Sequence, residues 1–165
     1  MSASILFLDL DGVCNDGAFV GRVLSGSPVV AWDPDLAART LDPARVARVQ
    51  TICDATGARI ALVTGWRRWA TIPAIIACLR AAGLTAEVLD EDVGGVHMSG
   101  DTRGSALLDW LVEHPEVTCW CVLDDTSYFY DARHEGRRVH PRDGVEDEHV
   151  EAAVAILRGG PDAAP

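Results

Sequence analysis

Apolar positions along this chain fall into a few short unbroken runs separated by stretches of helical spacing. Ile5-Leu6-Phe7-Leu8, Ile60-Ala61-Leu62-Val63 and Cys119-Trp120-Cys121-Val122-Leu123 are the runs. Runs of this length without polar interruption fit strands covered on both faces, as in a parallel sheet. In between, Val46, Val49 and Cys53 recur at helical spacing after Asp42-Pro43 and before Gly57. Aspartate accepts the first free backbone N–H groups, proline suits the first helical position, and glycine closes the last turn. Further helices are predicted over 71–82, closing at Gly83, over 105–113 with Leu107, Leu108 and Leu111 inward, and over 146–157 with Val150, Val154 and Leu157 on one face.

Strands are predicted over 4–10, 60–63, 86–89, up to 123, and around 138–140. In 13–32, Gly17, Gly21 and Gly26 punctuate Ala18-Phe19-Val20 and Val29-Val30-Ala31, which reads as a turn followed by a β-hairpin flap. Residues 90–102 read as a loop and 159–165 as a disordered tail. Strands alternating with helices, with no internal repeat and no linker, predict one α/β domain over 1–158. Its mostly parallel sheet would lie in the middle of three α/β/α layers, joined by right-handed crossovers.

Composition narrows the function classes. A chain of 165 residues, 48% hydrophobic, buries a real core. No apolar run reaches the ~20 residues that span a bilayer, and the first residues lack a basic-then-apolar leader pattern, so the expectation is a soluble cytoplasmic protein. Fourteen basic against 25 acidic residues give a net charge of −11. That field repels polyanions over a Debye length of ~8 Å, which disfavours a broad nucleic-acid surface but leaves room to recognise one phosphate. All the basic residues are arginine, which excludes a phosphate-loop lysine and Schiff-base chemistry. Cys14, Cys53, Cys78, Cys119 and Cys121 contain no C-x-x-C pair, and so read as small core residues rather than disulfides or a zinc site. His97, His114, His134, His140 and His149 show no metal spacing and read as surface or loop residues.

The chemistry concentrates where the runs end. Asp9-Leu10-Asp11-Gly12 follows the first, Thr64-Gly65 the second and Asp124-Asp125 the third, while Arg103 precedes the helix over 105–113. Taken singly, each has an ordinary role: a solvated turn, a strand-end threonine, a helix-start arginine, a pair of acids at a helix cap. In a parallel sheet, however, the carboxyl ends of neighbouring strands converge on one crevice. Asp9 and Asp11 suit a nucleophile and its acid/base partner, and carboxylates crowded this closely imply a bound cation, with Mg²⁺ the expected ion.

In this order the segments resemble the four motifs of the haloacid dehalogenase-like (HAD) hydrolase superfamily, over roughly residues 4–157. Leu41-Asp42-Pro43, Thr64-Gly65-Trp66-Arg67, residues 79–84, Arg103-Gly104 leading into Trp110-Leu111, and Val122-Leu123-Asp124-Asp125 look like the HAD domain of Swiss-army-knife RNA repair proteins. The chain departs from the pattern in using Arg103 where lysine is commoner, and in having Gly65 and Cys14 where Ser and Leu are expected.

The resemblance implies a capless, Rossmann-like Mg²⁺-dependent phosphatase that works through an aspartyl-phosphate. Asp9 would be the nucleophile and Asp11 the acid/base, with Thr64 and Arg103 holding phosphoryl oxygens. Asp9, Asp11 through its carbonyl, Asp124 and Asp125 would hold Mg²⁺. The implied substrate is a phosphate monoester, either a nucleotide or nucleic-acid end or a small metabolite; a scaffold that lost turnover is the non-enzyme alternative. Gly65, Trp66 and Arg67 are candidate substrate contacts, since an indole can stack on a base and a guanidinium can meet a phosphate. Asn15 and Asp16 could touch substrate or serve the turn, and residues 128–130 could line the crevice or pack beneath the last strand.

Overall fold

Among the described residues four parallel strands, β1 (Ala3–Leu8), β2 (Arg59–Leu62), β3 (Val117–Leu123) and β4 (Arg138–Val139), form one sheet in the order β2-β1-β3-β4. The structure is a computed structural model that describes residues 3–25, 33–91, 93 and 103–159. Among the described residues six α-helices accompany the strands: α1 (Gly17–Leu24), α2 (Pro34–Thr40), α3 (Pro43–Thr56), α4 (Ile72–Ala81), α5 (Arg103–Glu113) and α6 (Asp147–Leu157). The architecture is the α/β fold with a parallel sheet that the strand and helix alternation predicts.

Side chains on a strand point alternately to opposite faces, and β1 is apolar on both. Leu6 and Leu8 join Ile60, Leu62, Cys121 and Leu123 beneath α3, α4 and α6. Ile5 and Phe7 join Ala61 and Val122 under α5, where Leu107 and Trp110 cover them. Phe7 meets the ring of Trp110 edge-on at 5.6 Å. This split places β1 at the centre of the molecule and explains why its sequence shows no polar alternation.

Helix starts follow short polar side chains. Asp33, Asp42 and Thr71 accept backbone N–H groups at the starts of α2, α3 and α4, each with a proline in the first turn. Gly57 closes α3 at φ +68°, a left-handed conformation that favours glycine.

Three predicted strands are corrected. Residues 18–20, expected as a hairpin strand, lie in α1, whose N-cap is Asp16 accepting the Phe19 N–H at 2.6 Å. Phe19, Val20, Val23 and Leu24 have helical spacing, and Gly17 and Gly21 sit within the helix instead of marking turns. Residues 29–31 of the proposed flap lie outside the described residues, as does the tail from 160. The strand predicted over 86–89 reduces to a single bridge between Ile60 and Val88, because Ile60 alone exchanges ladder bonds there, with Glu87 and Leu89. The last strand is likewise short, and His140 falls just beyond it.

Candidate active site

Register builds this site. Leu8, the last residue of β1, lies opposite Leu62 of β2 and Leu123 of β3. Asp9, Val63 and Asp124 therefore follow side by side, with Thr64 and Asp125 one step further on. Backbone bonds carry the alignment past the strand ends, since the Asp9 N–H donates to the Leu123 carbonyl and the Val63 N–H to the Leu8 carbonyl, both at 3.0 Å.

Asp9 is buried, at 5% exposure. Its Oδ1 accepts the Leu10 N–H at 2.8 Å and its Oδ2 accepts from Arg103 Nη1 at 2.9 Å. The same Nη1 reaches Oδ2 of Asp124 at 2.5 Å. Arg103 is the first residue of α5, so the helix delivers one guanidinium between two strand-end carboxylates. Asp124 is buried and further held by the Tyr130 hydroxyl at 2.6 Å and the Thr126 N–H at 2.8 Å.

One guanidinium does not neutralise this cluster. Burial, reinforced by the Asp124 charge, pushes the Asp9 carboxyl up to about 7 despite the opposing pull of Arg103. Burial also raises Asp125 above the ordinary carboxylate range. The ligand-type oxygens of Asp9, Asp124 and Asp125 lie within 4.8 Å of one another. Hard carboxylate oxygens converging with an excess of negative charge suit a hard divalent cation such as Mg²⁺.

The turn after β1 is fitted to this cluster. Gly12 has φ +72°, and a Cβ there would lie 2.1 Å from Oδ2 of Asp125. Glycine is thus required twice, by the left-handed backbone and by the carboxylate packed against it. The Gly12 carbonyl accepts from the Gly144 N–H at 2.9 Å, and the buried Arg45 pairs with Asp16 at 2.6 Å. These contacts fix the loop from outside.

Asp11 is exposed and its carboxylate stands apart from the metal-compatible trio. Trp66 Nε1 donates to its Oδ2 at 3.0 Å, and Asn15 Nδ2 to its Oδ1 at 3.2 Å. Asn15 is buried and its Oδ1 accepts the Gly12 N–H at 2.9 Å, which gives it a place in the turn. Thr64 is buried and caps the 3-10 turn Gly65–Arg68 by accepting the Trp66 N–H at 3.3 Å.

The segment after Thr64 is partly built into the fold. Trp66 is only 8% exposed and packs in the core. The Arg67 guanidinium is half-buried and donates to the Val93 carbonyl at 3.1 Å, which ties it to the protein's own backbone. Gly65 has open space beside it, with nothing within 4 Å of an added Cβ.

Residues 128–130 were candidates to line the crevice by their place after the acidic pair, but the bond of the Tyr130 hydroxyl to Asp124 was missed. Sequence reasoning also placed His134 at the surface. The ring is fully buried, with Nε2 3.1 Å from the Gly104 carbonyl and Nδ1 3.2 Å from the Asp131 N–H, so it fixes the start of α5 that carries Arg103. The capping box of residues 131–134, an aspartate three residues before a histidine, was the available signal.

Among the described residues no helix is long and apolar enough to cross a membrane. Residues 5–150 match the model of a family described as the HAD domain in Swiss Army Knife RNA repair proteins. Searches of the curated proteins and of the solved structures give no significant match.

Proposed function

Because this chain belongs to the HAD domain family of Swiss Army Knife RNA repair proteins, we propose that it is a Mg²⁺-dependent phosphatase acting on a phosphate monoester, with a nucleotide or nucleic-acid end as substrate. HAD membership supports a phosphatase-type hydrolase and phosphorylated substrates in general. The single observation that carries the reading is Arg103 bridging Asp9 and Asp124 at the aligned ends of β1 and β3.

In this reading an Asp9 carboxylate oxygen attacks phosphorus, and the bond from phosphorus to the ester oxygen breaks. Asp11 gives its proton to the departing alkoxide. Water then attacks phosphorus, losing its proton to Asp11, and the bond from phosphorus to the Asp9 oxygen breaks, so phosphate is released with the Asp9 carboxylate and the Asp11 proton restored. Trp66 and Asn15 orient the Asp11 carboxylate for both transfers. Thr64 and Arg103 bind phosphoryl oxygens, where fixed donors favour the spread charge of the transition state. Asp9, Asp124, Asp125 and the Asp11 carbonyl would hold Mg²⁺, which when bound supplies positive charge against the phosphoryl group.

The test is a phosphatase screen with Mg²⁺ over nucleotides, sugar phosphates and oligonucleotides phosphorylated at either end. Hydrolysis that stops in EDTA, returns with Mg²⁺ and is abolished by Asp9→Asn is expected. Full activity after verified metal removal, or in Asp9→Asn, overturns the mechanism.

A further inference from the structure

Aromatic surface beside the site is found in the turn that follows Asp124-Asp125. Phe129 places its ring 4.4 Å from the Cζ of Arg103. Tyr128 meets the Phe129 ring in turn, with centroids 4.4 Å apart at a tilt of 51°. Two ring-scale contacts thus lead from the guanidinium that bridges Asp9 and Asp124 out to Tyr128, which is 78% exposed.

The turn holding these rings is tied down on both sides. The Gly104 N–H donates to the Phe129 carbonyl at 3.2 Å, and a Cβ at Gly104 would lie 2.6 Å from that oxygen. The Tyr130 N–H and Arg138 Nη1 both donate to the Ser127 carbonyl, at 3.2 and 3.1 Å. Tyr130 also reaches back to Asp124 through its hydroxyl. The exposed Tyr128 ring and the part-buried Phe129 ring are therefore carried on backbone already fixed to the site, and little ordering would be required of them when a flat ligand lands.

We propose that Tyr128 and Phe129 form a stacking platform for the nucleobase of the nucleotide whose phosphate sits at Arg103. This deepens the phosphatase reading and rests on its placement of phosphate at that arginine. Every base has a π-face, so the platform selects for a base while tolerating its identity. Chain charge sets the length of ligand: a net charge of −11 repels an extended polyanion, so the platform holds one terminal base and not a strand.

Binding to the Asp9→Asn protein in Mg²⁺, measured by calorimetry, separates this proposal from turnover. Adenosine 5′-monophosphate is compared with ribose 5-phosphate, which has the same phosphate and sugar without a base, and with a short 5′-phosphorylated oligonucleotide. The mononucleotide is expected to bind more tightly than ribose 5-phosphate, and Tyr128→Ala to lower that preference by roughly five- to a hundred-fold. Tyr128→Trp, which keeps a ring, should retain it. Because Tyr128 is exposed, thermal melting of both variants should match the parent and confirm folding. Equal binding of the two small ligands, or a preference that Tyr128→Ala leaves intact, overturns the platform. An oligonucleotide that binds far more tightly than the mononucleotide overturns the single-base limit. If the wild-type chain hydrolyses no phosphate ester while the base preference holds, the phosphatase reading fails and the platform survives.

Discussion

Trp66 Nε1 lies 3.0 Å from Oδ2 of Asp11, a hydrogen bond that joins the turn after β2 to the turn after β1. The indole is buried and the carboxylate exposed, so a core residue fixes the direction of a group at the mouth of the site. Trp66→Phe keeps most of the packing and removes the donor. A hydrogen bond to a charged group is worth about 1.5–3 kcal/mol, so kcat on a phosphate monoester should fall roughly ten- to a hundred-fold with KM nearly constant. Steady-state kinetics decide it. An unchanged kcat in a folded variant would remove Trp66 from the mechanism.

Gly12 gives a second prediction. An alanine there meets Asp125 Oδ2 at 2.1 Å and must adopt φ +72°. The left-handed conformation costs about 1–2 kcal/mol for an L-residue, and the displaced carboxylate adds to that. Gly12→Ala should melt several degrees lower than wild type and gain less stability from Mg²⁺, because one of three clustered carboxylates has moved. A variant whose Mg²⁺-induced shift in melting temperature equals that of wild type would show that Asp125 does not hold the ion.

Much of this site was legible because its residues sit at the ends of apolar runs. Asp9, Thr64, Asp124 and Asp125 were expected in one crevice because neighbouring strand ends of a parallel sheet converge, and the register of Leu8 with Leu62 and Leu123 sets those strand ends side by side. Arg103 needed only a helix start. The contact of Trp66 with Asp11 was not legible, since it depends on the direction of a side chain across elements far apart in sequence, and that of Tyr130 with Asp124, only six residues away, depends on how the turn between them folds back. The α1 error had a local cause: glycines inside a helix carry the same signature as glycines in a hairpin, and the capping role of Asp16 shows only once its carboxylate is seen on Phe19 N–H.

The third prediction concerns pH in the absence of metal. Burial raises the Asp9 carboxyl to about 7, whereas an unfolded aspartate releases its proton near 4. Between those values the folded chain holds the extra proton, so this group's contribution to stability is lost as pH rises through the window. The slope is at most about 1.4 kcal/mol per pH unit for one proton. Asp16 and Asp131, whose carboxyls are held low, are already ionised there and do not oppose it. Urea unfolding in EDTA should show midpoints falling from pH 5 to pH 8, and Asp9→Asn should flatten that fall. Stability that rises over this range would contradict the burial argument.

Arg103 supplies the last prediction, because its removal and the addition of metal act on the same charges. Its guanidinium pairs with Asp9 and Asp124, and both are buried. Breaking a buried pair from one side leaves charge without compensation and costs about 3–5 kcal/mol. Arg103→Ala should therefore be strongly destabilised in EDTA, and Mg²⁺ should restore part of the loss, since a cation among Asp9, Asp124 and Asp125 supplies positive charge to the same carboxylates. Arg103→Lys keeps a positive charge but loses the flat face against Phe129 and the fixed fork of donors. It should fold close to wild type and retain part of the activity, while Arg103→Ala with saturating Mg²⁺ folds but turns over at least a hundred-fold more slowly. Thermal melts with and without Mg²⁺, followed by kinetics on the folded samples, distinguish these outcomes. If Mg²⁺ stabilises Arg103→Ala no more than it stabilises wild type, the ion does not share the carboxylates that Arg103 bridges, and the metal belongs elsewhere.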